Sequence, residues 1–159
     1  MKQWTQALLL GAGLSLAASA AQAKQVVCVF DLVGKNGDVY NLMQDYQLAA
    51  KNWGAEIELR VGQNEGVIAE DFKAGKCDGI SVTGMRGRQF NHFTGSLDAI
   101  GAIPDLKLAV KVMQGLASPA FAKYMRNGQY EVAGVIPVGD AFLMVNDRSI
   151  NSVAKAAGK

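Results

Sequence analysis

Two short segments carry side chains suited to holding a ligand, and each follows a stretch that reads as a β-strand. The first is Asp31-Leu32-Val33-Gly34-Lys35-Asn36, the second Thr83-Gly84-Met85-Arg86-Gly87-Arg88. Arg86 and Arg88 each present a guanidinium that grips a carboxylate through two parallel hydrogen bonds, a contact that strengthens as water is excluded. The plainer reading of the same pair is two solvated arginines on a loop. Thr83 offers a hydroxyl and Asn36 an amide. Asp31 either accepts a hydrogen bond from a ligand or caps the neighbouring helix. Glycines at 34, 37, 84 and 87 allow close approach of backbone to a ligand, and N–H groups at a helix start favour anions. Phe93, three residues after Phe90, either walls a cleft or packs in the core.

Catalytic chemistry finds little support. His92 is the only histidine, and no serine or cysteine stands in a nucleophile motif, so it reads as a surface or capping residue. Gly34-Lys35-Asn36-Gly37 lacks the spacing of a phosphate-binding loop. No carboxylates pair at helical spacing for a metal or a hydrolytic reaction, and no cofactor is indicated. An enzyme using His92 with Asp31 or Asp98 is the weakest reading. A net charge of +2, from 16 basic and 14 acidic residues, gives no basic patch for nucleic acid.

The elements that must position these residues follow from periodicity. Val26-Val27-Cys28-Val29-Phe30 is an apolar run, predicting a strand buried on both faces. Val39, Met43, Tyr46, Ala50 and Trp53 recur at offsets of four and three, predicting a helix that stops at Gly54. Ile57, Leu59 and Val61 alternate with polar residues, the mark of a half-exposed strand. A second helix is expected over about 67–74 and a third strand over 77–83. Strand, helix, strand, helix, strand requires right-handed crossovers and a parallel sheet. The alternating strand suits an edge, giving the order second, first, third. Beyond it, 84–96 reads as loop or short helix, and 106–116 and 120–126 as helices. Residues 132–145 are an apolar stretch read as one bent strand or two. Asp147-Arg148-Ser149 opens a last helix capped by Ser149 or Asn151. The fold class is α/β, a mostly parallel sheet flanked by helices.

The 159 residues are 50% apolar, a fraction raised by the N-terminus. Lys2, an apolar run over 7–18 and Ala21-Gln22-Ala23 follow the order of a secretory signal, cleaved after Ala23. Residues 24–159 are then the mature chain. Export to an oxidising compartment favours a disulfide between Cys28 and Cys77 over two buried thiols.

Several segments resemble periplasmic solute-binding proteins. Ala69-Glu70-Asp71-Phe72-Lys73-Ala74-Gly75-Lys76-Cys77-Asp78-Gly79 is similar to the stretch in which helix, glycine and acidic turn lead into the third strand. Asp98-Ala99-Ile100-Gly101-Ala102-Ile103-Pro104 is similar to the segment that follows in binding proteins of tripartite ATP-independent (TRAP) transporters. Residues 146–159 look like the entry into the second lobe. The resemblance implies two lobes that close on a small polar or anionic solute, including carboxylate-bearing ones, and deliver it to a membrane transporter without cofactor or catalysis. It also implies that the chain is the N-terminal piece of such a protein, residues 24–138 forming a first α/β lobe and 139–159 a hinge strand and the start of a second lobe, most of which is missing. The arginine that grips a carboxylate in the TRAP relatives lies largely in that second half, so Arg86 and Arg88 stand on their own chemistry. The alternative is a periplasmic sensor or interaction protein that shares the lobe fold.

Overall fold

A computed structural model describes residues 24–99, 101–139 and 144–158. The signal segment and residues 140–143 of the expected hinge strand lie outside the described residues. Strand β1 (Gln25–Phe30) is followed by helix α1 (Asp38–Lys51), β2 (Ile57–Gly62), α2 (Glu65–Lys73) and β3 (Gly79–Ser81). The sheet is parallel with order β2-β1-β3, as the sequence predicts. β1 pairs on both sides, Val27 opposite Leu59 and Gly79. Being apolar from Val26 to Phe30, it takes the centre, where Val29 is fully buried.

Each crossover helix is fixed by local chemistry. Asn64 caps α2, its Oδ1 accepting from the N–H of Gly66 and Val67, so the helix begins at Glu65, two residues earlier than periodicity suggests. α1 turns a different line of residues inward from the one expected. Met43 and Ala50 are buried, but Tyr46 is exposed and Trp53 is 89% exposed. Gln47 is half-buried between the two, because its Nε2 donates to the carbonyl of Ile57 at 2.6 Å and ties the helix to the start of β2. The helix ends at Lys51, so Trp53 belongs to the turn closed by Gly54 at φ 78°.

β3 is shorter than the expected 77–83. Asp78 bonds Val26 twice, its N–H donating to the carbonyl and its Oδ2 accepting from the N–H, both at 2.7 Å. Cys77 thereby leaves the ladder and forms the disulfide with Cys28, Cα to Cα 5.9 Å. The core gathers on that bridge: Cys28, Cys77 and Ile68, with Val26, Phe30, Phe72, Ile80 and Val82 packed around them. Phe72, Phe90 and Tyr130 extend it as an aromatic cluster with ring centroids 5.0 to 5.7 Å apart.

The remaining chain is made of short elements: α3 (Gly84–Gly87), α4 (His92–Leu97), α5 (Leu106–Leu116), α6 (Ala122–Met125), the hairpin β4 (Arg126–Asn127) with β5 (Tyr130–Glu131), and α7 (Val153–Ala156). Gly128-Gln129 turns this hairpin, so Asn127 pairs with Tyr130 and does not simply end a helix. Two amides join it and α6 to α4: Asn91 Nδ2 donates to Tyr124 O, and Asn127 Nδ2 to Phe90 O, each at 2.8 Å. Two expectations fail. The described residues 132–139 and 144–145 form no strand, since no described strand offers them a partner. The last helix starts later than Asp147. Asp147 Oδ1 accepts from the N–H of Ser149 in a local turn, and Ser152, not Ser149 or Asn151, is the N-cap.

Candidate functional site

In open parallel sheets, loops after the carboxyl ends of the strands are where ligands meet protein. Here three such loops are tied to one another. After β1, the N–H of Asp31 still donates to Gly62 O at 3.1 Å, and the chain then turns through a short 3-10 turn, Gly34–Asn36, into α1. After β2, Gln63 Nε2 donates to Leu32 O at 2.9 Å. Glu65, at the start of α2, bridges to the third loop. Its Oε1 accepts from the N–H of Thr83 at 2.5 Å, and its Oε2 lies 3.8 Å from Arg86 Nε. Thr83 caps α3 by accepting from the N–H of Arg86 at 3.2 Å. Asp98 Oδ2 accepts from the N–H of Met85 at 3.0 Å.

Asp31 has both carboxylate oxygens engaged inside the protein. Oδ1 accepts from the N–H of Val33 at 2.8 Å and Oδ2 from that of Tyr40 at 3.1 Å. The N–H of Tyr40, then that of Val33, holds the carboxyl below the usual aspartate range against the opposing effect of burial. A carboxyl whose pKa falls on folding contributes stability that is complete above the unfolded value of about 3.9 and disappears as pH drops through the lowered folded value. The urea midpoint should therefore hold level above about pH 5 and fall below about pH 4. Asp31→Asn should remove part of that acid-side fall; a variant with an unaltered acid profile would contradict it.

The two close-approach glycines serve these carboxylates. A Cβ on Gly37 would lie 1.8 Å from Asp31 Oδ1, and one on Gly84 would lie 2.8 Å from Asp98 Oδ2 and 2.7 Å from Thr94 O. The space at the helix starts, expected to suit a ligand anion, is filled by the chain's own acidic groups.

The predicted residues are thus partly gathered. Thr83 and Arg86 share the β3 loop, and Asp31 and Asn36 belong to the neighbouring β1 loop, with Asn36 exposed. Arg88 lies outside the Glu65 contact. Its stem runs over Gly95 of α4, where a Cβ would come within 2.7 Å of Cδ. Phe93 is half-buried and stacked on Tyr124, centroids 5.4 Å apart. Phe90 is buried in the core cluster. His92 is exposed at the start of α4, and among the described residues no ion pair joins it to Asp31 or Asp98. Glu65 escaped the sequence reading because the helix was expected to begin two residues later. The signal was Asn64, a favoured cap residue just after a strand.

A separate cleft of about 310 Å³ lies between β2 and α2, lined by Arg60, Asn64, Val67, Lys76 and the Cys28–Cys77 bridge. None of Asp31, Asn36, Thr83, Arg86, Arg88 or Phe93 lines it. Its two cations are already paired, Arg60 with Glu58 at 2.8 Å and Lys76 with Asp71 at 2.7 Å. No helix among the described residues is long and apolar enough to cross a membrane.

The family model for the solute-binding protein AdeT 1/2 family matches residues 47–159. The chain belongs to that family. It is 55% identical over 131 residues to "Probable solute-binding protein AdeT1" of Acinetobacter baumannii, covering 82% of this chain and 43% of that protein. It is 37% identical over 65 residues to "Probable solute-binding protein AdeT2" of the same organism, covering 41% of this chain and 27% of that protein. The chain therefore spans less than half the length of the curated AdeT relatives it matches. No solved structure matches it. The resemblance to solute-binding proteins read from 69–79, 98–104 and 146–159 falls inside the segment the AdeT 1/2 model covers.

Proposed function

We propose that this chain supplies the first lobe of a periplasmic solute-binding protein, which takes up a small polar metabolite and passes it to a membrane transporter, of the TRAP kind or a related one. Residues 24–138 make the lobe, and 139–159 lead through a hinge into a second. Solute is held at the carboxyl ends of β1, β2 and β3, with Thr83, Arg86 and Asn36 as the polar contacts and closure of a facing lobe excluding water. The observation that carries this reading is the joining of three strand-end loops by Glu65 and Gln63 in a chain of the AdeT 1/2 family. Such ties give a rigid rim, which reduces the ordering cost of binding.

Isothermal titration of the full-length protein, second lobe included, against sugars, amino acids, polyamines and carboxylates tests it. Saturable heat from at least one class is expected, and silence across the panel would sink the reading. A second reading, a periplasmic interaction or sensor protein, draws on α5. Leu106, Leu108 and Val110 are exposed there, and such a helix offers an apolar contact for another protein. Recovery of a receptor domain instead of a permease in a pull-down would favour that alternative.

A further inference from the structure

The cleft between β2 and α2, about 310 Å³, is walled by both cysteines of the Cys28–Cys77 bridge. Ile68 of α2 packs on the bridge and lines the same cleft, so the disulfide stands at the margin of the core and not at its centre. Neither cysteine is sealed, Cys28 being 6% and Cys77 4% exposed. Val29, the next residue of β1, points to the other face and is 0% exposed. A disulfide reacts with a thiolate that can reach one of its sulfurs, and positive charge nearby favours both the incoming and the departing thiolate. The cleft offers a path and the charge. Arg60 stands opposite Cys28 in the β1–β2 register, and its Nη1 donates at 3.4 Å to the carbonyl of Lys76, the residue before Cys77. Arg60 and Lys76 are paired with Glu58 and Asp71, but of these two carboxylates only Asp71 lines the cleft. The walls therefore carry two positive charges against one negative.

We infer that this cleft is a thiol–disulfide exchange site, through which a small anionic thiol reaches the bridge while the lobe stays folded. The thiolate sulfur bonds to one cysteine sulfur as the Cys28–Cys77 bond breaks, and the bonding pair leaves on the other cysteine, which takes a proton from water. A second thiolate attacks the mixed disulfide at the small thiol's sulfur. It releases the small disulfide and the remaining cysteine as a thiolate, which is protonated in turn. Two thiols are oxidised and one bridge is reduced. Arg60 and Lys76 act on the charge of the incoming thiol and so set which thiol reacts fastest. β3 begins two residues after Cys77 and leads to Thr83 and Arg86, so exchange here loosens a strand-end loop along with the bridge. The inference holds whether or not the lobe binds a solute.

The test is the rate of bridge opening in the full chain under folding conditions, read by acid quench, alkylation and mass spectrometry. Mercaptoethanesulfonate serves as the anionic thiol and cysteamine, whose ammonium offsets its thiolate, as the other. Each rate is divided by the same thiol's rate on the urea-unfolded chain, which removes intrinsic differences in reactivity. At low ionic strength mercaptoethanesulfonate should be favoured about threefold, and Arg60→Gln/Lys76→Gln should bring the two normalised rates together. In the parent, the rate should stay nearly flat in urea up to the foot of the unfolding transition. Attack confined to the unfolded chain would instead climb with urea as the unfolded fraction does, and that result would overturn the inference. Equal normalised rates for the two thiols in the parent would do the same. So would a preference that survives in the double variant, because the cleft would then not be the path. The urea series needs only the parent, so it decides the matter even where the double variant does not fold.

Discussion

Reducing the Cys28–Cys77 bridge should lower the stability of the folded chain by about 4 kcal/mol, the chain-entropy value for a closure of 49 residues. Set against a total of about 5–15 kcal/mol for a typical domain, that loss brings the lobe close to unfolding. β3 is the element with most at stake. It has three residues, pairs with Val27, Cys28 and Val29, and follows Cys77 after the single residue Asp78. Urea unfolding with and without a phosphine reductant measures the effect, with Cys28→Ala/Cys77→Ala as the control that reductant should not touch. A midpoint indifferent to reductant in the parent would remove the bridge from any account of stability. Loss of β3 would also release Thr83 and Arg86 from Glu65, so the reduced chain should lose whatever binding it has along with its fold.

The second large effect is expected at a residue with no side chain. Gly37→Ala places a methyl 1.8 Å from Asp31 Oδ1, well inside any permitted contact, while its φ of −87° is open to alanine. The obstruction is steric and comes from one neighbour. Overpacking of this kind costs about 1–3 kcal/mol, here by pushing Asp31 off the N–H groups of Val33 and Tyr40. The diagnostic is non-additivity. In an Asp31→Ala background the obstruction is gone, and Gly37→Ala should change stability by no more than about 0.5 kcal/mol. Equal costs in both backgrounds would show that the glycine is needed for something other than the carboxylate beside it.

Much of the fold was legible because it depends on local pattern and on general rules of connection. The apolar run 26–30 reads as a central strand, and the alternation at 57–61 reads as an edge. Right-handed crossovers then leave β2-β1-β3 as the natural order. The same order brings the chain at Cys77 beside β1, which supports the disulfide expected from an even cysteine pair in an exported chain. What periodicity missed were burials that need a partner elsewhere. Gln47 lies inward because a backbone carbonyl at Ile57 awaits its amide, while a count of apolar residues puts Tyr46 there instead. The described residues of 132–145 are apolar enough for a strand, yet a strand also requires a paired neighbour, which composition cannot supply.

The site divides along the same line. Thr83, Arg86 and Asp31 could be placed at strand ends from the sequence. The contacts Glu65 to Thr83 and Asp98 to Met85 span 18 and 13 residues, and only the fold brings them together. A reading confined to sequence therefore finds the donors and takes them for vacant. The acceptors that fill them come from the first residue of α2 and the residue just past α4.

The position of β1 also governs the order of events as the chain is made. Of the three strands of this sheet it is the first made, and both its edges require segments that follow it, beginning with Ile57 and Gly79. Until those arrive, an apolar strand with two open edges is exposed, the condition in which unrelated chains adhere to one another. Cys28 waits as a free thiol over the same interval, since its partner lies 49 residues downstream. A lobe with its most apolar strand at the centre of the sheet and ahead of both its partners in sequence is thus most vulnerable in its youth. Its yield in production should depend on how soon the chain reaches Gly79 more than on how firmly the finished lobe is held.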